Sequence, residues 1–221
     1  MPGIAAAEVE ASKSSRGWVR VLALVYDPFL WLGEIAGMRR RRRELLREAR
    51  GRVIEIGAGT GLNVPYYPPD LDELVLAEPD PGMRRRLERR ARRHAQTAQI
   101  VDAAAERLPF QDGSVHTLVS TLVLCTVDDP AAVLREIARV LRPDGRLLFV
   151  EHVRASSPVL AALQERLIEP WRRFSGGCRC NRQTIELMRA SGFEVTAETA
   201  AWRGMPAIVR PLVLGRATLA G

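Results

Sequence analysis

The chain carries, at residues 53–61, the stretch Val-Ile-Glu-Ile-Gly-Ala-Gly-Thr-Gly. The first four residues predict a buried β-strand, because three are branched and apolar and only Glu55 is polar. Glycines then alternate with other residues, at Gly57, Gly59 and Gly61. Glycine allows a tight turn and a close approach to a ligand, and a helix that begins after the turn directs backbone N–H groups at that ligand. The stretch therefore predicts a strand, a ligand-binding turn and a helix start.

The glycine spacing and the acidic residues distinguish between possible ligands. A dinucleotide site has Gly-x-Gly-x-x-Gly and cradles a pyrophosphate, whereas here the third glycine comes one residue earlier. Glu55 would repel a pyrophosphate but suits a cation. A second acid, Glu78, ends the apolar run 74–77 and lies 21 residues after Gly57, close to the ~20 expected for a carboxylate that binds ribose hydroxyls. The two carboxylates favour a positively charged nucleoside.

This order of strand, Glu-x-Gly-x-Gly-x-Gly, strand and acid resembles the class I S-adenosylmethionine-dependent methyltransferases with a type 11 domain. Residues 134–145, Leu-x-Glu-x-x-Arg-Val-Leu-x-Pro-x-Gly, are similar to the same family. The resemblance implies a doubly wound α/β fold with a mostly parallel, seven-stranded, Rossmann-like sheet and an antiparallel last strand. It also implies S-adenosyl-L-methionine as the cofactor and methyl transfer as the activity.

The resemblance further implies which residues bind the cofactor. The family holds adenine with an acid and the backbone that follows it, but this chain has Ala104 where that aspartate usually stands, so adenine would rest on Ala105 and Glu106. The end of the fourth predicted strand, at Thr121 and Leu122, should lie under the reactive methyl group. The implied cofactor-binding set is Glu55, Gly57, Ala58, Gly59, Gly61, Glu78, Pro79, Ala105, Glu106, Thr121 and Leu122.

Several shorter pieces are similar to the thiol S-methyltransferase-like branch of the family. They are residues 121–125, residues 151–153, Gly177-Cys178 with Asn181 and Arg182 after it, and residues 209–211. Quinone and phospholipid methyltransferases are similar over the cofactor half only. The expected acceptor is therefore a small, lipophilic molecule, with a thiol as the first candidate and a quinone or phospholipid as the alternative.

No catalytic base is evident in the sequence. A thiol of pKa ~8.5 is partly ionised near neutral pH and needs little help from a base, so the absence is compatible with a thiol acceptor. His152, at the end of the fifth predicted strand, could act as a general base or be a buried histidine behind the site; the sequence leaves both open. Cys125 is predicted to be a small buried residue rather than a catalytic thiol.

Composition bears on other function classes. The net charge is +7, but Lys13 is the only lysine, and the arginines carry no reader motif or aromatic interleaving, which argues against a nucleic-acid-binding module. The glycine spacing argues against an NAD(P)-dependent oxidoreductase. Three cysteines without a disulfide framework suggest a reducing cytoplasm. Cys178-x-Cys180 lacks further ligands at a matching spacing, so no metal site is expected.

The N-terminal part divides into a predicted disordered tail, residues 1–17, and a helical lid or cap, residues 18–50, before the methyltransferase domain of residues 51–221. Charged residues and Pro28 interrupt the apolar run of the lid, so it is not a membrane span. It could pack on the core, cover the cofactor or contact a membrane peripherally. The five arginines 39–43 are predicted to lie on a solvated helix, with docking to anionic lipid as the alternative.

Overall fold

The structure is a computed structural model that describes residues 27–221, so the predicted tail and residues 18–26 of the predicted lid lie outside the described part. Its sheet has seven strands in the order β3-β2-β1-β4-β5-β7-β6. Strands β1 to β5 are parallel, and β7 is antiparallel to both of its neighbours. The predicted mostly parallel, doubly wound fold is confirmed. The strands are β1 Arg52–Ile56, β2 Glu73–Ala77, β3 Gln99–Val101, β4 Val115–Thr121, β5 Leu141–His152, β6 Phe193–Ala201 and β7 Pro211–Leu219.

The helices begin largely where the sequence places a cap. The side chain of Asp80 accepts a hydrogen bond from the Met83 amide at 2.7 Å, and that of Asp129 accepts one from the Ala132 amide at 2.9 Å, each followed by a proline at the first helical position. Residues 27–33 are helical and continue through a π-helical turn, Glu34–Met38. The α-helices that follow are α1 Arg39–Leu46, α2 Pro81–His94, α3 Pro130–Val140, α4 Pro158–Phe174 and α5 Thr184–Ala190.

Both faces of the sheet are covered, which explains why its central strands are nearly continuous apolar runs. Ile54 and Ile56 point into the core on one face, which α3 and α5 complete. Val53 points to the opposite face, whose core includes residues of α1 and α2. Because side chains alternate along a strand, Glu55 lies on this second face, on the same side as the N-terminal helices.

Two element boundaries differ from the sequence prediction. The run Arg142-Pro143-Asp144-Gly145 predicts the end of a helix, with the fifth strand beginning at Leu147. Strand β5 instead begins at Leu141, because Leu141 already pairs with Val115 of β4 before a register shift. Asn181 is predicted from sequence to cap the helix that ends at Gly192. Helix α5 begins after Gln183, so Asn181 does not cap it, and the Asn181 amide instead donates to Glu165 at 2.9 Å.

An apolar stripe at helical spacing, which is typical of a buried helix face, consists of Leu160, Leu163, Leu167 and Trp171. Helix α4 turns a different face to the core. Leu163 and Leu167 are 39% and 37% exposed, whereas Gln164 is fully buried. The Gln164 amide group accepts from one backbone N–H, of Ala155, and donates to three carbonyl groups, so its burial leaves no polar atom unpaired. The exposed leucines leave α4 with an apolar outer face.

Candidate cofactor and acceptor site

The glycine turn follows β1 in a left-handed backbone conformation, with positive φ at Gly57, Gly59 and Gly61. A Cβ on Gly57 would lie 2.7 Å from Val123, and one on Gly61 would lie 2.7 Å from Leu87, so close packing requires both glycines. At Gly59 the nearest atom to an added Cβ is 3.9 Å away. The middle glycine therefore borders open space, where a methyl group would intrude on a ligand.

Glu78 stands beside this turn because β1 and β2 are parallel neighbours whose carboxyl ends meet, with Ile56 opposite Ala77. Its two carboxylate oxygens accept hydrogen bonds from the backbone amides of Gly59, at 2.7 Å, and Asp80, at 2.8 Å. Burial raises the pKa of Glu78, and these two amides oppose the rise. A cavity of about 360 Å³ lies next to it, and its lining includes Gly57, Gly59, Glu78, Pro79, Ala105, Glu106 and Leu122.

Glu55 lies on the other side of the turn and is buried, with 3% of its surface exposed. One carboxylate oxygen accepts from the Asn63 amide at 2.8 Å and the other from the Tyr67 hydroxyl at 2.7 Å. Burial raises the pKa of Glu55 to about 7 despite these hydrogen bonds. A small cavity of about 30 Å³ borders this group, and its lining includes Arg42, Glu55, Ala58, Gly59, Thr121 and Leu122.

Arg42 corrects the prediction that the arginine run is wholly solvated. It is 4% exposed, and its guanidinium contacts the Glu34 carboxylate at 2.9 Å and the Asn63 side-chain oxygen at 2.8 Å. Gly37, with φ 133°, interrupts the helix between Glu34 and Arg42 and permits this pairing eight residues apart. Nothing in a run of five arginines singles out the fourth, so this contact could not be predicted from the sequence.

A second contact joins the N-terminal helical segment to the glycine turn. The Asp27 carboxylate accepts from the Thr60 hydroxyl at 2.6 Å and from the Arg90 guanidinium of α2 at 2.8 Å. Arg90 also donates to the Thr60 carbonyl oxygen at 2.8 Å. Residues 27–46 therefore contact the glycine turn and the residues that follow it at two points, through Asp27 before Gly37 and through Arg42 after it.

Leu122 is the only non-glycine residue with positive φ in the described part of the chain, at 61°. Its amide donates to the Val150 carbonyl oxygen at 2.8 Å. A left-handed conformation is costly for leucine and persists where its surroundings hold it. Leu122 lines both cavities described above and a third one, so the three cavities meet at this residue.

Glu151 holds the loop that contains Leu122. Its fully buried carboxylate accepts from the Ser120 hydroxyl at 2.8 Å and from three consecutive loop amides, at 3.0, 3.0 and 3.1 Å. Burial raises the pKa of Glu151, and the four donors oppose the rise. The sequence indicated a titratable residue at this strand end but not that it organises the neighbouring loop.

The third cavity has a volume of about 370 Å³ and a largely apolar wall that includes Phe29, Leu122, Trp171, Phe174 and Trp202. His152 also lines it, buried and stacked on Trp202 with ring centroids 5.6 Å apart. Burial lowers the pKa of His152 to about 4, so the imidazole is neutral at pH 7. Cys125 is fully buried in the same wall, as the sequence predicted.

The predicted cofactor-binding residues lie together in the structure. Gly61 is the one that lines neither of the first two cavities, since it packs against Leu87. The sequence analysis missed three residues: Tyr67, which donates to Glu55, and Arg42 and Glu34, which are paired with each other and joined to the site through Asn63. The remaining predicted residues line these two cavities, which share Gly57, Gly59 and Leu122.

Comparison with known proteins gives the family. A family model described as "Methyltransferase domain" matches residues 54–149. The thiol S-methyltransferase TMT1B of Homo sapiens is 32% identical over 195 residues, 81% of this chain and 79% of that protein. The phosphatidylethanolamine N-methyltransferase of Cereibacter sphaeroides is 30% identical over 164 residues, 71% of this chain and 74% of that protein.

A solved structure shares the fold. It is a SAM-dependent methyltransferase of Thermotoga maritima, described as a possible histamine N-methyltransferase, with a TM-score of 0.69 and 22% identity over 92% of this chain and 99% of that one. These relatives indicate the same family as the strand order and the glycine turn do. The chain belongs to the class I S-adenosylmethionine-dependent methyltransferases.

Proposed function

We propose that the protein transfers a methyl group from S-adenosylmethionine to a small, lipophilic thiol. The observation that carries the proposal is the meeting of an apolar cavity with the two cofactor-side cavities at Leu122. A methyl group held at this junction would face an acceptor in the apolar cavity. Alignment of this kind can supply about 7–11 kcal/mol of the barrier reduction.

The residues present suit this cofactor. The open space at Gly59 admits a nucleoside close to the backbone, and two carboxylates flank the turn. In the proposed arrangement, Glu78 accepts hydrogen bonds from the ribose hydroxyls, Glu55 faces the ammonium group, and Ala105 and Glu106 border the adenine. Arg42 lines the same small cavity as Glu55 and would attract the carboxylate of the amino-acid end. The sulfonium supplies an activated methyl group with a good leaving group.

The apolar cavity favours a thiol over an amine. Among its described lining residues there is no aspartate or glutamate, so a cationic amine headgroup would lose water without gaining an anionic partner. His152, with a pKa of about 4, is a weak proton acceptor at neutral pH. A thiol needs little base catalysis because it is partly ionised. TMT1B, a thiol S-methyltransferase by name, is similar over most of its length.

Acceptor class is tested with radiolabelled methyl donor and matched acceptors. Straight-chain thiols of increasing length, the corresponding alcohols and amines, a quinol and phosphatidylethanolamine vesicles are compared by kcat/KM. We expect thiols to exceed alcohols and amines of equal length by roughly 100-fold or more, about 2.7 kcal/mol, and to improve with each added CH₂, worth about 0.8 kcal/mol at most. Preferential methylation of the amine or the phospholipid would contradict a thiol acceptor.

The pH dependence of cofactor binding tests the role of Glu55. Its pKa is about 7 in the folded protein and about 4.3 when unfolded, so the ionised form is present in the site only as the pH rises through about 7. A cationic ligand requires that form. We expect S-adenosylhomocysteine to bind more tightly as the pH rises through about 7, by up to ~10-fold per pH unit below it.

Titration calorimetry at a series of pH values measures this dependence, with Glu55→Gln as the comparison. The amide cannot ionise, so the variant should bind more weakly and lose the rise in affinity near pH 7. The same shift predicts that Glu55 stabilises the unliganded fold below about pH 4.3 and that this contribution is lost as the pH rises through about 7. A wild-type affinity that is flat across this range would contradict the proposed contact.

We also propose that the N-terminal helical segment contacts a membrane surface peripherally. None of the helices within residues 27–221 is both long and apolar enough to cross a bilayer. Trp31, Leu32 and Ile35 are 49–55% exposed, and the exposed arginines Arg39, Arg40 and Arg43 follow them. Exposed apolar residues beside basic ones favour the interface of an anionic bilayer.

Vesicle flotation tests the membrane contact. The Trp31→Ser, Leu32→Ser double variant should lose most of the binding to vesicles with anionic lipid. Val159→Ser, which removes an exposed apolar residue of a different helix, α4, should retain it. Binding should weaken as salt is increased, because the arginines contribute electrostatically. Equal flotation of the wild type, the double variant and the Val159→Ser variant would contradict the proposal that Trp31 and Leu32 contact the membrane.

A further inference from the structure

Two cysteines lie side by side in the wall of the apolar cavity. Cys125 follows β4 and Cys178 follows α4, and their sulfur atoms are 3.9 Å apart. Both line the 370 Å³ cavity, and both are free thiols. Cys180, although close in sequence, is not part of the lining of that cavity. The pair therefore differs from an isolated buried cysteine: two thiols face each other at a space that a small molecule can enter.

The two backbone segments are tied together around the pair. The Arg179 amide donates to the Cys125 carbonyl oxygen at 2.6 Å. The Arg182 guanidinium donates to the carbonyl oxygen of Val127 at 2.6 Å and also to that of Leu124. A Cβ on Gly177 would lie only 3.1 Å from the Thr126 carbonyl oxygen. The two segments are therefore already in contact. The sulfur atoms, 3.9 Å apart, need to approach by about 1.9 Å to reach the disulfide bond length of about 2.0 Å.

We propose that Cys178 and Cys125 form a dithiol exchange site for small, lipophilic disulfides that enter the acceptor cavity. This activity goes beyond methyl transfer and needs no methyl donor. The cavity wall is apolar, so it suits the disulfide of an apolar thiol better than a charged one.

The exchange proceeds in two balanced steps. The Cys178 thiolate attacks one sulfur of the disulfide, the sulfur–sulfur bond breaks, and one thiolate leaves and takes up the proton released by Cys178. The Cys125 thiolate then attacks the Cys178 sulfur of the mixed disulfide, and the second thiolate leaves and takes up the proton from Cys125. The small disulfide is reduced to two thiols, and the two cysteines are oxidised to one disulfide.

The first attack requires the more exposed thiol with the lower pKa, and Cys178 has both properties relative to Cys125. Cys178 is 6% exposed, whereas Cys125 is fully buried. Contact with Cys125 lowers the pKa of Cys178, and contact with Cys178 together with burial raises the pKa of Cys125. Burial raises the pKa of Cys180 to about 12, so this third thiol is not expected to take part in the exchange, and it can be replaced by serine to simplify the measurement.

The test uses the reduced, full-length Cys180→Ser protein and 4,4′-dithiodipyridine, an aromatic disulfide whose released thiol is measured by absorbance. We expect two equivalents of released thiol per chain, a product mass lower by two hydrogens, and a peptide map with Cys125 joined to Cys178. With Cys125→Ser added, we expect one equivalent and one pyridylthio group on Cys178. With Cys178→Ser added, the rapid release of thiol that Cys178 is expected to start should disappear.

Other results would overturn the proposal. They are two pyridylthio groups without an internal disulfide, fast modification of Cys125 in the absence of Cys178, or reaction only after denaturant is added. Circular dichroism checks that each variant is folded, and the peptide map of the wild-type chain decides the question without any substitution. Because no methyl donor is present, failure of this exchange leaves the proposed methyl transfer standing, and the reverse also holds.

Discussion

Glu78→Ala is expected to weaken S-adenosylhomocysteine binding by at least ~100-fold. In the proposed site the Glu78 carboxylate accepts hydrogen bonds from two ribose hydroxyls, and hydrogen bonds to charged groups contribute about 1.5–3 kcal/mol each. The same carboxylate accepts from the Gly59 and Asp80 amides, so its loss also loosens the turn next to the ligand. Titration calorimetry measures the affinity, and thermal melting checks that the variant is folded.

Asp102→Ala is the matched control for this variant. Asp102 follows the neighbouring strand β3, but its side chain is 68% exposed and pairs with Arg84 at 2.8 Å. An exposed ion pair contributes about 0–1 kcal/mol, so the control should bind with nearly wild-type affinity. Unchanged affinity of the Glu78 variant, or equal losses in both variants, would show that Glu78 does not hold the ribose.

Glu151→Ala is expected to lower the free energy of unfolding by about 4 kcal/mol or more. The Glu151 carboxylate is the acceptor for Ser120 and for three loop amides between Val123 and Cys125. Each buried donor left without a partner costs about 1–3 kcal/mol, and the loop also carries the strained Leu122. Urea denaturation followed by fluorescence measures the change.

Glu48→Ala provides the comparison for stability. Glu48 is a partly exposed glutamate that pairs with Arg216 at 3.2 Å on the surface, so its loss should cost less than about 1 kcal/mol. Glu151→Gln keeps one acceptor oxygen and should fall between the wild type and Glu151→Ala. A Glu151→Ala protein within about 1 kcal/mol of the wild type would mean that the loop amides find other acceptors.

The fold could be predicted from sequence because its strongest features are local. The apolar run before Gly57 and the proline-led helix starts after Asp80 and Asp129 each depend on neighbouring residues only. Helix α4 was harder, because the burial of Gln164 depends on carbonyl groups contributed by distant loops. Its leucine spacing alone suggested the wrong buried face.

The part of the candidate site that lies at the carboxyl ends of the strands could be predicted from the sequence. Parallel strands bring Glu55 and Glu78 to the same edge, so spacing along the chain was enough to bring both carboxylates to the turn. Arg42 and Glu151 could not be assigned in this way. The Arg42 contact depends on a helix interrupted at Gly37, and the Glu151 contact depends on a loop that folds back over its own strand end.

The most direct measurement is a crystal structure of the protein with S-adenosylhomocysteine. We expect the ribose hydroxyls within hydrogen-bond distance of Glu78, the amino group beside Glu55, and the sulfur atom next to Leu122, facing the apolar cavity. A nucleoside bound elsewhere, or one turned so that its sulfur points away from that cavity, would contradict the central claim that two carboxylates flanking the glycine turn hold the methyl donor.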